Sequence, residues 1–209
     1  MTTDIDVLIV GAGPVGISAA MLLHKMGHSV RMIERREGPQ RAPAAHVINA
    51  RTFEVWRQIG VNVDHLRSLA QDPQAAGQVH WVTKLGGTVL GSLPYERQGD
   101  EMLAVTPTPL RNLAQHILEP VLVDELSSMG IAVEYSTQWL SMVQEDENVV
   151  STVSHNQNDE VIVAKYLLGC DGASSAVRQA SGITMEGPDN LQSFATIHFT
   201  ADLSSLTRE

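Results

Sequence analysis

Residues 7–16 read VLIVGAGPVG, in which four apolar residues lead directly into three glycines spaced as G-x-G-x-x-G. A short continuous apolar run is typical of a strand that is buried on both faces of a parallel sheet. Gly11 predicts a tight turn, Gly13 predicts close approach of a phosphate to the backbone, and Gly16 predicts close packing of helix on strand. The segment therefore predicts a βαβ nucleotide fold that opens at residues 6–34.

The residues after the glycines continue the same pattern. From Pro14 to Met26 small and apolar residues recur at helical spacing, and Gly27 is placed to end the helix. Residues 29–33 then predict a second strand. Pro14 and Val15 lie in the first turn of the helix, where the helix dipole favours a bound anion.

An acidic residue, Glu34, ends this second strand 23 positions after Gly11. A carboxylate in that place accepts hydrogen bonds from the two hydroxyls of a ribose, and a solvated strand end is the alternative. Arg35 and Arg36 follow, and either they lie beside an adenosine or they point into water. Together with the glycines, Glu34 favours a dinucleotide site.

Composition and charge limit the classes of function. The chain has 209 residues, 43% of them hydrophobic, a formal net charge of −10 and one cysteine, Cys170. Clustered Lys and Arg, which phosphate contacts require, are absent, so nucleic acid and anionic membranes are not expected partners. The apolar run from Val7 to Leu23 contains three glycines and lacks a basic leading segment, so it predicts neither a signal peptide nor a membrane helix. We expect a cytoplasmic protein.

The rest of the chain predicts mixed α/β structure. A helix is predicted over residues 51–59, a loop-rich insertion with short strands over about 70–105, and a long helix from Thr108-Pro109 to Gly130. Residues 131–164 predict a small β-meander, residues 166–170 a strand that leads into Asp171-Gly172, and residues 196–201 a further strand. Neither zinc-ligand spacing nor a nucleophile elbow is present, and Ser174 and Ser175 are expected to cap a helix.

Several segments resemble one family of flavoproteins. They are the glycine fingerprint, residues 45–52 (AHVINART), residues 113–120 (LAQHILEP), residues 166–178 (YLLGCDGASSAVR) and residues 185–187 (MEG). Nearly the whole chain is similar to the N-terminal portion of FAD-dependent aromatic monooxygenases of the phenol 2-monooxygenase and chlorophenol hydroxylase type. The implied fold is a Rossmann-like FAD-binding α/β domain over residues 1–182. Residues 183–209 would begin a second, β-sheet domain that binds substrate.

The resemblance also implies roles for individual residues. Asp171, Gly172 and Arg178 would lie on the cofactor side, with a plain turn as the alternative for the Asp-Gly pair. Gln115 would hydrogen-bond the cofactor from its helix, or else be a solvated glutamine. His46 and Arg51 would line the flavin side, with a core or loop histidine as the alternative for His46. Many relatives have Pro-Arg-Ala-His where this chain has Pro43-Ala44-Ala45-His46, which makes Arg41 the candidate replacement for the missing arginine.

The reaction implied by the resemblance is hydroxylation of a phenolic or other aromatic substrate. NADPH or NADH would reduce FAD, and a flavin C4a-hydroperoxide would transfer one oxygen atom. No residue of the sequence is identifiable as the catalytic acid or base. Because such enzymes are longer, we expect a truncated chain with weak activity or none, completed by a separate C-terminal half or a homodimer partner. The alternatives are a non-catalytic FAD-binding fragment, or a halogenase or reductase on the same scaffold.

Overall fold

The computed structural model describes residues 5–95, 98–188, 191–197 and 199–206. Its α-helices are α1 (Pro14–Lys25), α2 (Ala50–Ile59), α3 (Val63–Ser68), α4 (Gln115–Ser128) and α5 (Ala176–Ala180), and a 3₁₀ helix covers Asp100–Ala104. Its strands are β1 (Ile5–Val10), β2 (Val30–Ile33), β3 (Val47–Ile48), β4 (Gln78–Val82), β5 (Val89–Pro94), β6 (Arg111–Asn112), β7 (Val133–Glu134), β8 (Thr137–Gln144), β9 (Val149–His155) and β10 (Asn158–Gly169).

A six-stranded sheet forms the centre of the fold, in the order β7-β2-β1-β10-β9-β8. Strands β7, β2, β1 and the second half of β10 are parallel, while β9 and β8 continue the sheet antiparallel. This arrangement confirms the Rossmann-like βαβ unit and a meander formed by β8, β9 and β10. The strand predicted at residues 131–135 as the first of the meander is instead β7, which pairs parallel with β2 at the other edge of the sheet. The meander and the parallel sheet share β10, whose first half pairs with β9 and whose second half pairs with β1.

Strand β1 is buried on both faces, as its continuous apolar sequence predicts. Val7 and Ile9 pack into a core with helices α1, α2 and α4. Leu8 and Val10 point to the opposite face, into a second core that includes Trp139 of the meander. The carboxyl end of β1, where the glycines begin, is therefore held rigidly between two cores.

The predicted start of the long helix is wrong. Residues Arg111–Asn112 instead form strand β6, which pairs antiparallel with β3, and the helix begins only at Gln115. The backbone amides of Leu113 and Gln115 extend this pairing by donating to the carbonyls of His46 and Ala45 at 2.7 and 2.9 Å. The chain before α4 is extended because it is hydrogen-bonded to a distant segment.

Two further expectations need correction. The strands predicted over residues 161–164 and 166–170 are one continuous strand, β10, and Lys165 within it pairs with Asp6 at 2.6 Å. The strand predicted over residues 196–201 is absent from the described residues of this range, from which His198 is excluded. Phe194, Ile197 and Phe199 are exposed, so in the part of the chain that the structure describes these side chains do not pack against a sheet.

Within residues 70–105, where short strands are expected, the structure contains a separate hairpin, β4–β5. Its apolar side chains are exposed, including Trp81 (51%) and Leu90 (69%). Among the described residues, no helix is long and apolar enough to cross a membrane.

Candidate nucleotide site

The glycine turn between β1 and α1 has the geometry that its sequence predicts. Gly11 adopts φ +103°, and a Cβ there would lie 2.4 Å from the carbonyl oxygen of Cys170. A Cβ on Gly16 would lie 2.0 Å from the carbonyl oxygen of Gly11, so this glycine lets the helix touch the turn. At Gly13 the nearest heavy atom to such a Cβ is an oxygen of Glu119, 4.0 Å away. The backbone at Gly13 is therefore open to a ligand, as a pyrophosphate requires.

Helix α1 presents its N-terminus to the same space. Gly13 occupies the N-cap and has no side chain to cap the helix, and Pro14 follows at the first helical position. The first turn contains no acidic residue. Uncapped amides and the positive end of the helix dipole together favour an anion at this point.

Glu34, which is only 7% exposed, ends β2 beside the turn. Its carboxylate accepts hydrogen bonds from the backbone amide of Ala12 at 2.9 Å and from the amide and Nε of Arg36 at 2.9 and 3.1 Å. Burial opposes ionisation of Glu34, but these hydrogen bonds outweigh it and the pKa lies below its usual value. Glu34 is therefore an ionised side chain whose two oxygens are held in place by Ala12 and Arg36.

The Asp171-Gly172 pair lies at the same edge of the sheet. The amide of Cys170 donates to the carbonyl of Val10 at 2.7 Å, which sets the end of β10 against the glycine turn. The Asp171 carboxylate accepts from the Ser175 hydroxyl and from the Ala176 amide at 2.6 Å, so it closes the start of α5. Burial raises the pKa of the Cys170 thiol, which favours its neutral form.

These elements enclose a cavity of about 300 Å³, which we call the turn cavity. Seven of the predicted site residues line it: Gly11, Gly13, Glu34, Arg35, Gln115, Asp171 and Gly172. The structure therefore brings together residues from the ends of β1, β2 and β10 and from the start of α4. Ligands of open α/β sheets bind at such carboxyl edges.

The amino-acid sequence matches a known protein family over almost its whole length. A family described as FAD binding domain matches residues 4–209. The chain belongs to this FAD binding domain family. FAD is therefore the cofactor of the fold, and the open backbone at Gly13 fits its pyrophosphate group.

Curated relatives extend the comparison. The chain is 32% identical over 208 residues to 2,4-dichlorophenol 6-monooxygenase of Delftia acidovorans. The matched region covers 96% of this chain and 35% of the relative. It is 33% identical over 208 residues to phenol 2-monooxygenase of Pseudomonas sp. (strain EST1001), covering 96% of this chain and 32% of the relative. The chain thus spans about a third of the length of these relatives.

Solved structures of flavin enzymes share the fold. The flavin-dependent monooxygenase PieE, in complex with FAD and substrate, superposes with a TM-score of 0.81 at 29% identity, covering 90% of this chain and 34% of PieE. A ternary complex of aklavinone-11 hydroxylase with FAD and aklavinone has a TM-score of 0.75 at 32% identity, covering 87% and 35%.

Four other residues predicted to contact FAD lie in a neighbouring groove. This groove, which we call the helix groove, has a volume of about 560 Å³ and runs between α1, α2 and β3. Pro14, Val15, His46 and Arg51 line it, and its other lining residues are mainly apolar. Gln115 lines both the helix groove and the turn cavity, so the two spaces meet at this residue.

Gly16 and Arg178 line neither space. Gly16 packs against the turn from within α1, and Arg178 lies on α5, where its guanidinium donates to the carbonyl of Ala173 at 2.7 Å. Arg178 therefore braces the loop that carries Asp171-Gly172. Arg41, the candidate replacement for the arginine of relatives, is exposed and lies outside both sets of lining residues.

Sequence reasoning missed Glu119 as a site residue and left Arg36 unresolved. Glu119 is fully buried on α4, lines the turn cavity and accepts a hydrogen bond from the side-chain amide of Gln115 at 2.5 Å. Arg36 pairs with both Glu34 and Glu119, at 3.1 and 3.3 Å. One signal was available, since Gln115 and Glu119 are four residues apart and share a helix face.

Proposed function

We propose that this chain is the FAD-binding part of an NAD(P)H-dependent monooxygenase that hydroxylates a phenolic or other aromatic compound. The observation that carries the proposal is the match of nearly the whole chain to monooxygenases and hydroxylases of aromatic compounds. The grouping of the glycine turn, Glu34 and Asp171-Gly172 around one cavity supports it. Because the chain spans about a third of these relatives, the reaction is proposed for the protein that carries it.

The turn cavity would hold the dinucleotide end of FAD. Gly13 leaves room for the pyrophosphate, and the uncapped amides of Val15 and Gly16 at the start of α1 would donate to it. Glu34 would accept from the ribose hydroxyls of the adenosine, with its position fixed by Ala12 and Arg36. In this arrangement ionised Glu34 needs no proton movement to bind the ribose.

Arg35 and the Asp171-Gly172 loop would complete the nucleotide contacts. Arg35 is exposed and lines the turn cavity, so its guanidinium can reach the adenosine. Asp171 uses its carboxylate to cap α5, so we propose that the loop at Gly172 contacts the cofactor through its backbone. Arg178 would act on FAD only through this loop, because its guanidinium binds the carbonyl of Ala173.

The helix groove would receive the flavin side. Its lining is mainly apolar, which excludes water from the reacting centre, while His46, Arg51 and Gln115 offer polar groups at its edge. FAD held by these residues would supply the redox chemistry between NADPH or NADH and O₂, by which one oxygen atom would enter the ring and the other would leave as water. The residues of this chain would hold and orient the cofactor.

The substrate-binding surface would need residues in addition to those that form the nucleotide site. Exposed apolar side chains of the β4–β5 hairpin, such as Trp81 and Leu90, support a protein contact on that surface. We propose that it is completed by substrate-domain polypeptide or by a second copy of the chain.

A cytoplasmic location is also proposed, in keeping with the single cysteine of the chain.

The reaction is tested on the protein expressed from its intact gene, loaded with FAD and supplied with NADPH or NADH, a panel of phenols and ¹⁸O₂. The proposal predicts phenol-dependent oxidation of the nicotinamide and a product that contains one ¹⁸O atom in a new hydroxyl group. Product with halide in place of hydroxyl, or FAD reduction with no labelled product from any phenol, would contradict it.

A further inference from the structure

Glu119 is a fully buried carboxylate beside the turn cavity, and its oxygens accept several hydrogen bonds. It lies on α4, its side chain is 0% exposed, and Pro120 follows it within the helix. Its oxygens accept three hydrogen bonds: from Nε2 of Gln115 at 2.5 Å, from the backbone amide of Gln40 at 2.6 Å and from Nη1 of Arg36 at 3.3 Å. A buried charge is retained only when its donors are well placed.

The three donors come from two separate parts of the chain. Gln40 and Arg36 belong to the loop that follows β2, which we call the 36–40 loop, and Gln115 begins α4. Glu119 therefore ties this loop to the start of the helix across about 80 residues of sequence. Every one of these four residues lines the turn cavity.

Direct contact of Glu119 with FAD is disfavoured by charge. Its Oε1 atom lies 4.0 Å from where a Cβ on Gly13 would stand, close to the point where the pyrophosphate approaches. A carboxylate facing a phosphate would repel it, and Asp171 and Glu34 add negative charge to the same cavity. The guanidinium of Arg36 offsets this charge by pairing with Glu34 and Glu119 together.

Arg36 in turn sets the position of Glu34. Its backbone amide and Nε both donate to Oε1 of Glu34, and its Nη2 lies 3.4 Å from Oε2. Nη1 of Arg36 donates to Glu119 at 3.3 Å and to the side-chain oxygen of Gln40 at 3.2 Å, so Glu119 and Gln40 together hold this end of the guanidinium. Loss of the Glu119 charge would leave Nη1 with Gln40 of the same loop as its partner and would weaken the bond from the Gln40 amide to α4, which lets the 36–40 loop move.

We infer that Glu119 is a positioning residue for FAD binding. It acts through Arg36 and the 36–40 loop, fixing Glu34 for the ribose and Gln115 at the junction of the turn cavity and the helix groove. The inference rests on the proposed binding of FAD in the turn cavity and adds a residue that does not itself touch the cofactor.

The test compares the FAD dissociation constants of the wild-type chain and of E119Q, E125Q, R36M and the double variant E119Q/R36M. E119Q keeps the shape of the side chain and removes its charge. E125Q is the matched control, because Glu125 lies on the same helix and also accepts a backbone hydrogen bond, from Asn62 at 3.1 Å. Thermal unfolding of each chain without FAD separates loss of binding from loss of folding.

We expect E119Q to raise the dissociation constant of FAD about tenfold or more, the effect of one weakened charge-assisted hydrogen bond. E125Q should bind within about twofold of the wild type. Because Glu119 acts through Arg36, the two losses should not add up. The dissociation constant of the double variant should lie within about twofold of the larger of the two single-variant values. If E119Q is unfolded, E119D is measured in its place. Because aspartate retains the charge, E119D should bind FAD more tightly than R36M.

Two results would overturn the inference: wild-type affinity in E119Q, or losses in E119Q and R36M that multiply in the double variant. An E119D chain that folds but binds FAD as weakly as R36M would also contradict it. Failure of the wild-type chain to bind FAD is a different result, which would contradict the proposed function itself.

Discussion

Gly16 and Gly13 stand three residues apart in the same turn but serve different purposes. A methyl group on Gly16 would come within 2.0 Å of the Gly11 carbonyl oxygen, so G16A forces helix α1 away from the sheet. We expect G16A to lower the free energy of unfolding by about 3 kcal/mol or more, at or above the usual cost of overpacking. Urea denaturation measures this change, and a loss below about 0.5 kcal/mol would show that the packing is not tight.

Glu34 gives a pH dependence whose sign follows from its lowered pKa. Since the folded-state pKa lies below the usual value of 4.5, the ionised side chain stabilises the fold fully above that pH. This stabilisation is lost as the pH falls through the lower, folded-state pKa. We therefore expect the stability difference between the wild type and E34Q to be largest near pH 7 and to shrink on acidification below about 4.5. A difference that is constant or grows towards pH 3 would contradict this account.

The residues that sequence could identify are those with a fixed local spacing. Gly11, Gly13 and Glu34 follow from the fingerprint, because a turn, a helix start and a strand end place them relative to one another. The spacing of Glu119 from Gln115 places both on one helix face but does not show that Glu119 belongs to the site. Its partners in the 36–40 loop are about 80 residues distant, and these contacts depend on how the start of α4 packs against the loop after β2.

Strand β7 is only two residues long, and a side-chain cluster connects it to the sheet. Arg31 on β2 binds both oxygens of Glu134 at 2.6 and 2.8 Å and both oxygens of Glu160 at 2.7 and 2.9 Å. Methionine fills similar space without these bonds, so R31M should destabilise the chain by about 1–2 kcal/mol. Chemical denaturation tests this, with K165M, which removes one exposed pair with Asp6, as the control. A loss in R31M no larger than in K165M would contradict it.

Helix α4 and strand β10 show where element prediction succeeds and fails. The period of α4 is clear in the sequence, but its start is set by the pairing of β6 with β3, which local signals such as Thr108-Pro109 do not report. Likewise, a charged residue at Lys165 suggests a break between two strands. The strand continues there because the residues on both sides of Lys165 pair with β1, while the Lys165 side chain binds Asp6 at the surface.

The domain boundary near residue 182 stays a prediction. The distribution of buried side chains along the chain suggests how to test it. Beyond α5, Phe194 and Ile197 are each 80% exposed, whereas the two cores lie before residue 182. Limited proteolysis should therefore cleave first after residue 182 and leave a fragment that ends near α5. Mass spectrometry identifies the cleavage sites, and early cleavage within α1 or α4 would contradict the boundary.

The central claim is that FAD binds with its pyrophosphate against Gly13, and the most direct measurement is an FAD titration followed by visible absorption. Gly13 has φ −78° and an open Cβ position, so G13V should fold normally while its side chain blocks the phosphate. G91V is the control, since a Cβ on Gly91 in the hairpin meets nothing within 4 Å. We predict micromolar or tighter binding by the wild type and G91V, and loss of at least about 100-fold in G13V, in the range reached when a ligand group is sterically excluded. Equal affinity of G13V and the wild type, or no binding by a folded wild-type chain, would contradict the account.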